Sequence, residues 1–274
     1  MKYAGLNGVR IATDRDRVLL VGANGTKKTS SILDIALMYP GVGVAIIDTD
    51  DGVNKLVNAQ YGGWDSFPNV IRYPAHNWES FALAYGELKG ALERGDWLAI
   101  DAVGDVRKWA IAHVTALKHE QDKLEMKLKA LEEHKKVMFG GLEGVDWDTV
   151  NLLLEDTLYH AFKRLPCNLL FVAPAKPLTL DKDSQPVFDK GIPTQWKALA
   201  VKPECDWITI GKMDTVLYLE SKASEAKGTV EFSFRTIGKD RNTIGEHVTK
   251  GVFTNLWSDY CTKVGKDASK SPGT

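Results

Sequence analysis

The stretch RVLLVGANGTKKTS, residues 17–30, decides the fold of this 274-residue chain. Its first six residues form an apolar run that ends at a glycine, which predicts a short buried strand. The rest is rich in glycine, lysine and hydroxyl side chains, and residues 30–38, SSILDIALM, then carry apolar side chains at helical spacing. The stretch therefore predicts a strand, a glycine-rich turn and a helix in direct succession.

A glycine-rich turn between a strand and a helix is the setting of a Walker A loop, where backbone amides and a helix N-terminus converge on phosphate. Lys28 would then reach the β- and γ-phosphates of a nucleotide, and the Thr29 hydroxyl would bind Mg²⁺. We therefore expect ATP and Mg²⁺ as cofactors. The predicted nucleotide-binding residues are Gly22, Ala23, Asn24, Gly25, Thr26, Lys27, Lys28, Thr29 and Ser30.

One residue of this loop departs from the Walker A consensus, which has glycine immediately before the lysine. Lys27 occupies that position, and its side chain would either crowd the phosphates or point outward. The alternatives to a nucleotide site are an ordinary strand-to-helix turn and a degenerate loop that binds no phosphate.

Acidic residues follow two further predicted strands. WLAID, residues 97–101, ends in Asp101, which fits a Walker B aspartate that holds the Mg²⁺ shell together with Thr29. VGVAIID, residues 42–48, leads into Asp50, our candidate for orienting the attacking water, with Asp51 as second choice. The alternatives are that Asp101 caps a turn and that Asp50 is a solvated loop acid.

Strands and helices alternate along most of the chain. Residues 168–173, NLLFVA, predict a fourth buried strand, and residues 215–220 and 228–237 predict a later antiparallel pair. Helical spacing is found at 78–94 and 147–165, with Asp146 as the N-cap of the second helix. This alternation predicts an α/β fold with a mostly parallel sheet covered by helices on both faces.

We expect one domain over residues 1–262, followed by a flexible tail at 263–274. The domain contains a charged helical insertion at 106–144 and a long loop at 174–212. The helix at 106–137 either lies on its own domain or projects as an arm. Its heptad stripe is too short for a firm coiled-coil prediction.

Composition limits the classes of function. With 35 basic and 36 acidic residues the net charge is −1, so nucleic-acid binding would need a local basic patch. The three cysteines form no CxxC pair, which argues against a disulfide framework or a zinc site. No apolar run is long enough for a signal peptide or a membrane span, so we expect a soluble, cytoplasmic protein without membrane contact.

Taken together, these segments resemble the RecA-like ATPases, and most closely a group of phage-encoded ones linked to recombination and single-strand annealing. The resemblance covers about residues 17–253 and is carried by GANGTKKTS, AIIDTDDG, WLAIDAVGDV and FRTIGKDRN. It implies a RecA-like P-loop core and ATP hydrolysis in DNA recombination, annealing or replication on single-stranded DNA. It also implies a homo-oligomeric ring or filament, in the host cytoplasm if the chain is phage-encoded.

The resemblance also implies roles for individual residues. Asp50 falls where RecA places its catalytic glutamate, and Lys239 and Arg241 match a K-x-R element that reaches the nucleotide of a neighbouring subunit. The alternative for these two basic residues is a charged turn between strands. The predicted catalytic residues are Lys28, Asp50, Asp101, Lys239 and Arg241.

Three departures from the family pattern bear on the rate of hydrolysis. Lys27 replaces a glycine, Asp50 is one methylene shorter than glutamate, and Pro174 occupies a position that is often a polar sensor, although Lys176 is near. They favour a second reading, a nucleotide-binding module that controls assembly with little turnover. A third reading is a helicase-loader or packaging-type motor with the helix at 106–137 as its partner arm.

The stretch 174–212 matches the loops that contact single-stranded DNA in RecA-type proteins. Lysines can contact phosphates and aromatic rings can stack on bases, but five acidic residues nearly cancel the positive charge. Tryptophans packed on the core are the alternative. The residues concerned are Lys176, Lys182, Lys190, Lys197, Lys202, Lys212, Trp196 and Trp207.

Overall fold

A computed structural model describes residues 15–119, 142, 144–179, 193–205, 207–224, 228–240 and 249–273. The described strands are β1 (Arg17–Gly22), β2 (Val44–Asp48), β3 (Val70–Pro74), β4 (Trp97–Asp101), β5 (Asn168–Pro177), β6 (Val201–Pro203), β7 (Thr215–Ala223), β8 (Val230–Asp240) and β9 (Lys250–Val252). The described α-helices are α1 (Lys28–Met38), α2 (Gly52–Gln60), α3 (Trp78–Leu88), α4 (Val103–His119), α5 (Gly144–Asp156), α6 (Leu158–Arg164), α7 (Thr194–Ala198), α8 (Trp207–Lys212) and α9 (Leu256–Val264).

The strands form one sheet in the order β3-β2-β4-β5-β1-β7-β8-β9, with β6 pairing on β5. In this order the six strands from β3 to β7 run parallel. β8 and β9 extend the sheet beyond β7 as antiparallel strands. Parallel strands end at the same edge of a sheet. The ends of β1, β2 and β4 therefore present the predicted site segments along one edge.

Helices cover both faces of this sheet, because alternate strand residues point to opposite sides. One core packs α3, α4, α5 and α6 on residues such as Leu19 and Val21 of β1. The other packs α1, α2 and α9 on Val18 and Leu20 of the same strand. The predicted fold class, a mostly parallel α/β sheet with helices on both faces, is confirmed.

The local predictions hold best for the central strands. β1 and β4 have the predicted bounds, and β7 and β8 form the predicted antiparallel pair. The single helix predicted at 147–165 is instead two helices, because the backbone leaves helical geometry at Thr157 with φ −121 and ψ −93. Asp146 lies in the first turn of α5 and pairs with Lys118, so the predicted cap is wrong.

The stretch 174–212 is more ordered than the predicted long loop. β5 continues to Pro177 and pairs with β6, and the short helices α7 and α8 follow, while residues 180–192 and 206 lie outside the described part. At the predicted insertion, α4 already begins at Val103 and is described to residue 119. Most of the remaining insertion, residues 120–141 and 143, lies outside the described residues.

The end of the chain packs against the body, in contrast to the predicted flexible tail. Ser271 is 4% exposed, accepts a hydrogen bond from Trp97 Nε1 at 3.0 Å and donates to the Gly95 carbonyl at 2.7 Å. Asn168 Nδ2 donates to the Pro272 carbonyl at 2.9 Å. The tail thereby covers the sheet edge at which β4 and β5 begin, opposite the predicted site.

Candidate phosphate-binding site

The turn between β1 and α1 has the tight geometry of a phosphate-binding loop. Gly22 has no room for a side chain, because a Cβ there would lie 2.5 Å from Thr26 Oγ1 and 2.8 Å from the Leu219 carbonyl. Gly25 has φ 78, in the left-handed region that favours glycine. The buried Thr26 hydroxyl donates to the Ala23 carbonyl at 2.8 Å and ties the turn together.

Lys27, immediately before α1, also has a left-handed backbone, with φ 62 and ψ 21. A glycine at this position would adopt that conformation without a steric penalty, which is a physical reason for the consensus. The Lys27 ammonium lies 4.5 Å from the centroid of the Phe232 ring, on β8. Two orientations were predicted for this side chain, one that crowds the phosphates and one that points outward. The Lys27 side chain points outward, towards β8, where it makes a cation–π contact.

Lys28 is the first residue of α1 and turns its side chain back over the loop. Its Nζ donates to the carbonyls of Gly22 at 2.8 Å and Ala23 at 2.6 Å. Burial lowers the pKa of Lys28, while the charges of Asp101 and Asp50 oppose that shift. The ammonium is thus held at the mouth of the loop between backbone oxygens and two nearby carboxylates.

Thr29 and Asp101 meet across the site although their segments are far apart in sequence. The Thr29 hydroxyl donates to Asp101 Oδ2 at 2.6 Å. Asp101 ends β4 and is 6% exposed, and burial raises its pKa to about 6, opposed by the Thr29 hydrogen bond. The charges of Asp50 and Asp48 raise that pKa further, and that of Lys28 lowers it.

Asp50 and Asp51 point in different directions after β2. Asp50 lines the cleft above the loop, and its Oδ1 accepts a hydrogen bond from the Gly52 amide at 2.9 Å. Asp51 has φ 62, stands before α2 and pairs with Arg72 of β3. Of this pair, Asp50 lines the cleft and Asp51 is not among its lining residues.

The structure adds an ion-pair network that the sequence reasoning missed. Arg72 Nε also pairs with Asp48 at 2.8 Å, and Asp48 is fully buried at the end of β2. The adjacent Thr49 hydroxyl accepts a hydrogen bond from the Ala102 amide at 2.7 Å and donates to Asp105 at 3.2 Å. Arg72 lies on a half-exposed strand without a motif, so no sequence signal pointed to it.

These residues surround one cleft of about 270 Å³ at the carboxyl edge of the sheet. Pro174 lies in its wall beside Val172, at the position that is often a polar sensor in the proteins that the sequence resembles. Lys176 is directed elsewhere and pairs with Glu204 at 2.6 Å. The cleft is lined by Asn24, Gly25, Thr26, Lys27, Lys28, Thr29, Ser30, Asp50, Gly52, Leu56, Asp101, Ala102, Val172 and Pro174.

Two predicted catalytic residues are not brought into this cleft by the described structure. For Lys239 only the backbone is described, as part of β8, and Arg241 lies outside the described residues. Their predicted action on a neighbouring subunit therefore stays a prediction.

The predicted DNA-contacting stretch contributes Lys176 and Lys202 to a basic cleft, whereas one of its two tryptophans lies in the core. Trp196 is 2% exposed and packs edge-on against Tyr218, so it belongs to the core, while the Trp207 side chain, Lys182 and Lys190 lie outside the described residues. Beside α4 lies a cleft of about 390 Å³, lined by Gly104, Arg107, Lys108, Ile111, Lys176, Lys202, Pro203, Glu204 and Cys205.

Glu204 partly neutralises this basic cleft. Its Oε1 accepts hydrogen bonds from Lys108 and Lys176, both at 2.6 Å, and these two partners lower the pKa of Glu204 against the effect of burial. Lys108 also pairs with Asp105 at 3.0 Å, and Asp105 accepts from Thr49. The basic cleft is thus joined to the end of β4 by a continuous set of polar contacts.

Comparison with known proteins gives similarities of structure only. No protein-family model and no curated protein sequence matches the chain. Similar solved structures include the RadB recombinase, with 11% identity, a TM-score of 0.47, and coverage of 86% of this chain and 87% of that one.

Two further solved structures are similar to this chain. A KaiC-like protein from Pyrococcus horikoshii has 12% identity, a TM-score of 0.44 and coverage of 88% and 86% of the two chains. The flagellar accessory protein FlaH from Methanocaldococcus jannaschii has 10% identity, a TM-score of 0.38 and coverage of 88% and 85%. Likeness at this level carries no information about activity, ligands or partners.

The described helices also bear on membrane association. None of them combines the length and the apolar character that crossing a bilayer requires.

Proposed function

We propose that this protein binds ATP with Mg²⁺ and hydrolyses it, in a process that acts on single-stranded DNA. The observation that carries the proposal is the 2.6 Å hydrogen bond from Thr29 to Asp101, beside Lys28 and the glycine turn. A hydroxyl at the start of α1 and a carboxylate at the end of β4 meet where a nucleotide–metal complex needs them. An ordinary strand-to-helix turn has no need of this convergence.

The donors of this site suit Mg²⁺. The ion prefers oxygen ligands, keeps several waters and is usually held by one or two protein groups together with substrate phosphates. The Thr29 hydroxyl and the Asp101 carboxylate are such donors. When bound, Mg²⁺ would neutralise charge on the phosphate oxygens.

The residues of the chain then have distinct tasks. The amides of the turn and of the first residues of α1 bind the phosphates, since helix N-termini favour anions. Lys28 exchanges its two carbonyl partners for phosphate oxygens and neutralises negative charge there. Asp50, at the cleft wall, orients the attacking water and accepts its proton.

We further propose that Lys239 and Arg241 act on the nucleotide of a neighbouring subunit in a homo-oligomer, either a ring or a filament. The support is the match of FRTIGKDRN to a K-x-R element. A basic residue supplied in trans would make hydrolysis depend on assembly, and such arginines are typically worth about 10³–10⁵ in rate.

The basic cleft beside α4 supports the DNA part of the proposal. Four cationic side chains face one acid there, and phosphodiester groups are held mainly by Lys and Arg. The resemblance of the four sequence segments to phage recombination and annealing ATPases agrees with this assignment. On the same grounds we propose a cytoplasmic location, in the host cell if the chain is phage-encoded.

A nucleotide-binding module with little turnover is the second candidate. Pro174 favours it, because a proline in the cleft wall offers no side-chain donor to the γ-phosphate. The third candidate, a loader or packaging-type motor, depends on the helix at 106–137. That helix lies mostly outside the described residues, so the described part of the helix provides no argument for or against this third candidate.

Calorimetry with Mg-ATP and a phosphate-release assay, each with and without single-stranded DNA, test the proposal. We expect binding that is weakened tenfold or more in Lys28→Ala, because a hydrogen bond to a charged group contributes about 1.5–3 kcal/mol. Asp101→Ala should abolish Mg²⁺-dependent turnover while leaving the fold intact. Absence of any binding heat at millimolar Mg-ATP would refute the nucleotide site, and tight binding without turnover would favour the second candidate.

Two charge-reversal variants test the DNA contact. Lys202→Glu should reduce DNA-stimulated turnover and leave basal turnover unchanged, since Lys202 is exposed in the basic cleft and lies outside the nucleotide cleft. Lys222→Glu, at another exposed lysine on β7, is the matched control and should have no effect. Equal loss of stimulation in both would mean that DNA responds to overall charge and not to this cleft.

For the trans-acting pair, Arg241→Ala should lower turnover without weakening ATP binding to the monomer. Weaker binding to the monomer would place Arg241 in the same subunit as the nucleotide.

A further inference from the structure

Arg72 joins two acidic residues through two different nitrogens of its guanidinium group. It lies on β3 opposite Ile46 of β2, so its side chain shares a face of the sheet with Asp48, two residues further along β2. Its Nε pairs with Asp48 at 2.8 Å, and its Nη2 pairs with Asp51, the residue before α2. One planar group therefore holds both the end of β2 and the start of α2 to β3.

Asp50 lies between these two paired acids and lines the nucleotide cleft. On its other side Thr49 is held to the end of β4, because its hydroxyl accepts a hydrogen bond from the Ala102 amide at 2.7 Å. The Asp50 side chain accepts from the Gly52 amide at 2.9 Å. The backbone before and after Asp50 is thus fixed to β3 and β4, while its carboxylate stays in the cleft.

We propose that Arg72 is a positioning residue for ATP hydrolysis, which holds the turn that aims Asp50 at the attacking water. The inference rests on the proposed function, in which Asp50 orients that water. Arg72 is not among the described residues that line the nucleotide cleft, so it acts through the turn and not on the nucleotide.

The short side chain of Asp50 makes the position of its backbone important. Misplacement of a catalytic group by about 1 Å can cost about 10²-fold in rate, and an aspartate has little length with which to offset a shift of the main chain. The next residue, Asp51, has a left-handed backbone with φ 62. Such a conformation persists only where surrounding contacts hold it, and the ion pair with Arg72 is such a contact.

Compensation of a buried charge is the alternative role for Arg72, because Asp48 is fully buried and a buried carboxylate needs a partner. A contact with Asp48 alone would meet that need. Arg72 also reaches Asp51, whose side chain is 39% exposed. A carboxylate as exposed as that of Asp51 is well solvated, so the second contact fits a role in placing the turn.

The variant Arg72→Lys separates these two roles. Lysine keeps a positive charge beside Asp48, but it is a point charge without the planar fork that bridges two acids. We expect the variant to fold and to bind Mg-ATP with wild-type affinity in calorimetry. In a phosphate-release assay kcat should fall about tenfold to hundredfold with KM unchanged, the pattern of an interaction that matters only in the transition state.

Arg17→Lys is the matched control at the opposite end of the strands. Arg17 begins β1, and its Nε and Nη2 lie 2.8 and 2.7 Å from the two carboxylate oxygens of Asp214. This substitution also replaces a forked contact to a partly buried acid by a point charge. It should leave kcat unchanged, whatever it does to the free energy of unfolding in urea.

A double-mutant cycle shows whether Arg72 acts through Asp50. In a chain that carries Asp50→Asn, adding Arg72→Lys should lower kcat no further, measured under single turnover with excess protein. Asp51→Asn keeps the test informative if Arg72→Lys fails to fold. It leaves the buried pair with Asp48 in place, asparagine tolerates the left-handed backbone, and kcat should again fall while Mg-ATP affinity is kept.

The outcomes distinguish failure of this inference from failure of the proposed function. Wild-type kcat in Arg72→Lys and Asp51→Asn, or a further fall when Arg72→Lys is added to Asp50→Asn, would refute the positioning role and leave the nucleotide site standing. An equal fall in Arg17→Lys would assign the effect to a loosened sheet. Binding of Mg-ATP without turnover by the wild type would also overturn the inference, whereas absence of binding would refute the proposed function itself.

Discussion

Replacing Lys27 tests whether the turn between β1 and α1 carries a backbone penalty that glycine would remove. Lys27 has φ 62, and a left-handed conformation costs a residue with a Cβ about 1–2 kcal/mol. Its contact with Phe232 returns about 0.5–1 kcal/mol, as expected for a cation–π pair near the surface. Lys27→Ala keeps the penalty and loses the contact, so we expect it to lower the free energy of unfolding by about 0.5–1 kcal/mol.

Lys27→Gly loses the same contact but removes the penalty. Glycine also stabilises the unfolded chain by about 0.4–1 kcal/mol through its greater freedom. The stability gained by removing the left-handed penalty nearly equals the stability lost with the cation–π contact and through the freer unfolded chain. The glycine variant should therefore be about as stable as the wild type, and more stable than the alanine variant by about 0.5–1 kcal/mol. Urea denaturation without nucleotide, followed by circular dichroism, measures this difference.

A matched pair at Lys55 provides the control. Lys55 is exposed within α2, a right-handed helix, where alanine should exceed glycine in stability by about 1 kcal/mol. The order of the two variants should therefore reverse between positions 27 and 55. Alanine exceeding glycine at both positions would refute the left-handed geometry of the turn and the explanation given for the consensus.

Three further predictions follow from buried or crowded groups. Gly22→Ala should destabilise the protein by about 1–3 kcal/mol in urea denaturation, because its Cβ would overlap Thr26 and the Leu219 carbonyl. Burial raises the pKa of Asp34 to about 6, so Asp34 should contribute a loss of stability to the wild type as pH rises from about 4 to 6. Asp34→Asn should lack this loss and be more stable at pH 8 by about 1 kcal/mol, allowing for solvent screening, in thermal scans across this pH range. Asp101→Asn should likewise raise the melting temperature at pH 8, since the folded protein no longer buries an ionised carboxylate, yet weaken Mg²⁺-dependent nucleotide binding in calorimetry. A melting temperature below that of the wild type would contradict the raised pKa of Asp101.

The sequence predicted the parts of the fold that depend on short-range patterns. β1, the turn and α1 are continuous in sequence, so their apolar spacing and glycines sufficed. The proximity of the ends of β2 and β4 could be predicted because parallel strands end at one edge of a sheet. Asp50 and Asp101, which follow or end these strands, do line one cleft. The conformation of Lys27 could not be predicted, because its side chain is placed by Phe232, over 200 residues away.

Errors arose where long-range contacts outweigh local composition. The segment after Pro174 is rich in proline and lysine, yet β5 continues because Lys176 and its neighbours pair with β6. The polar tail looked loose, but Ser271 satisfies polar groups at the start of β4. Arg72 carries no sequence signal, since only the folded sheet brings it to Asp48 and Asp51.

The packing of two tryptophans where the parallel strands begin has a practical consequence. Trp97, whose indole nitrogen contacts the tail, packs edge-on against Trp257 with centroids 5.2 Å apart, and both are almost fully buried. Two indoles fixed this closely give a coupled near-ultraviolet signal that disappears when their packing loosens. Because they lie at the edge where the parallel strands begin, they form an intrinsic optical probe of the body at the end of the strands opposite to residues 22–30.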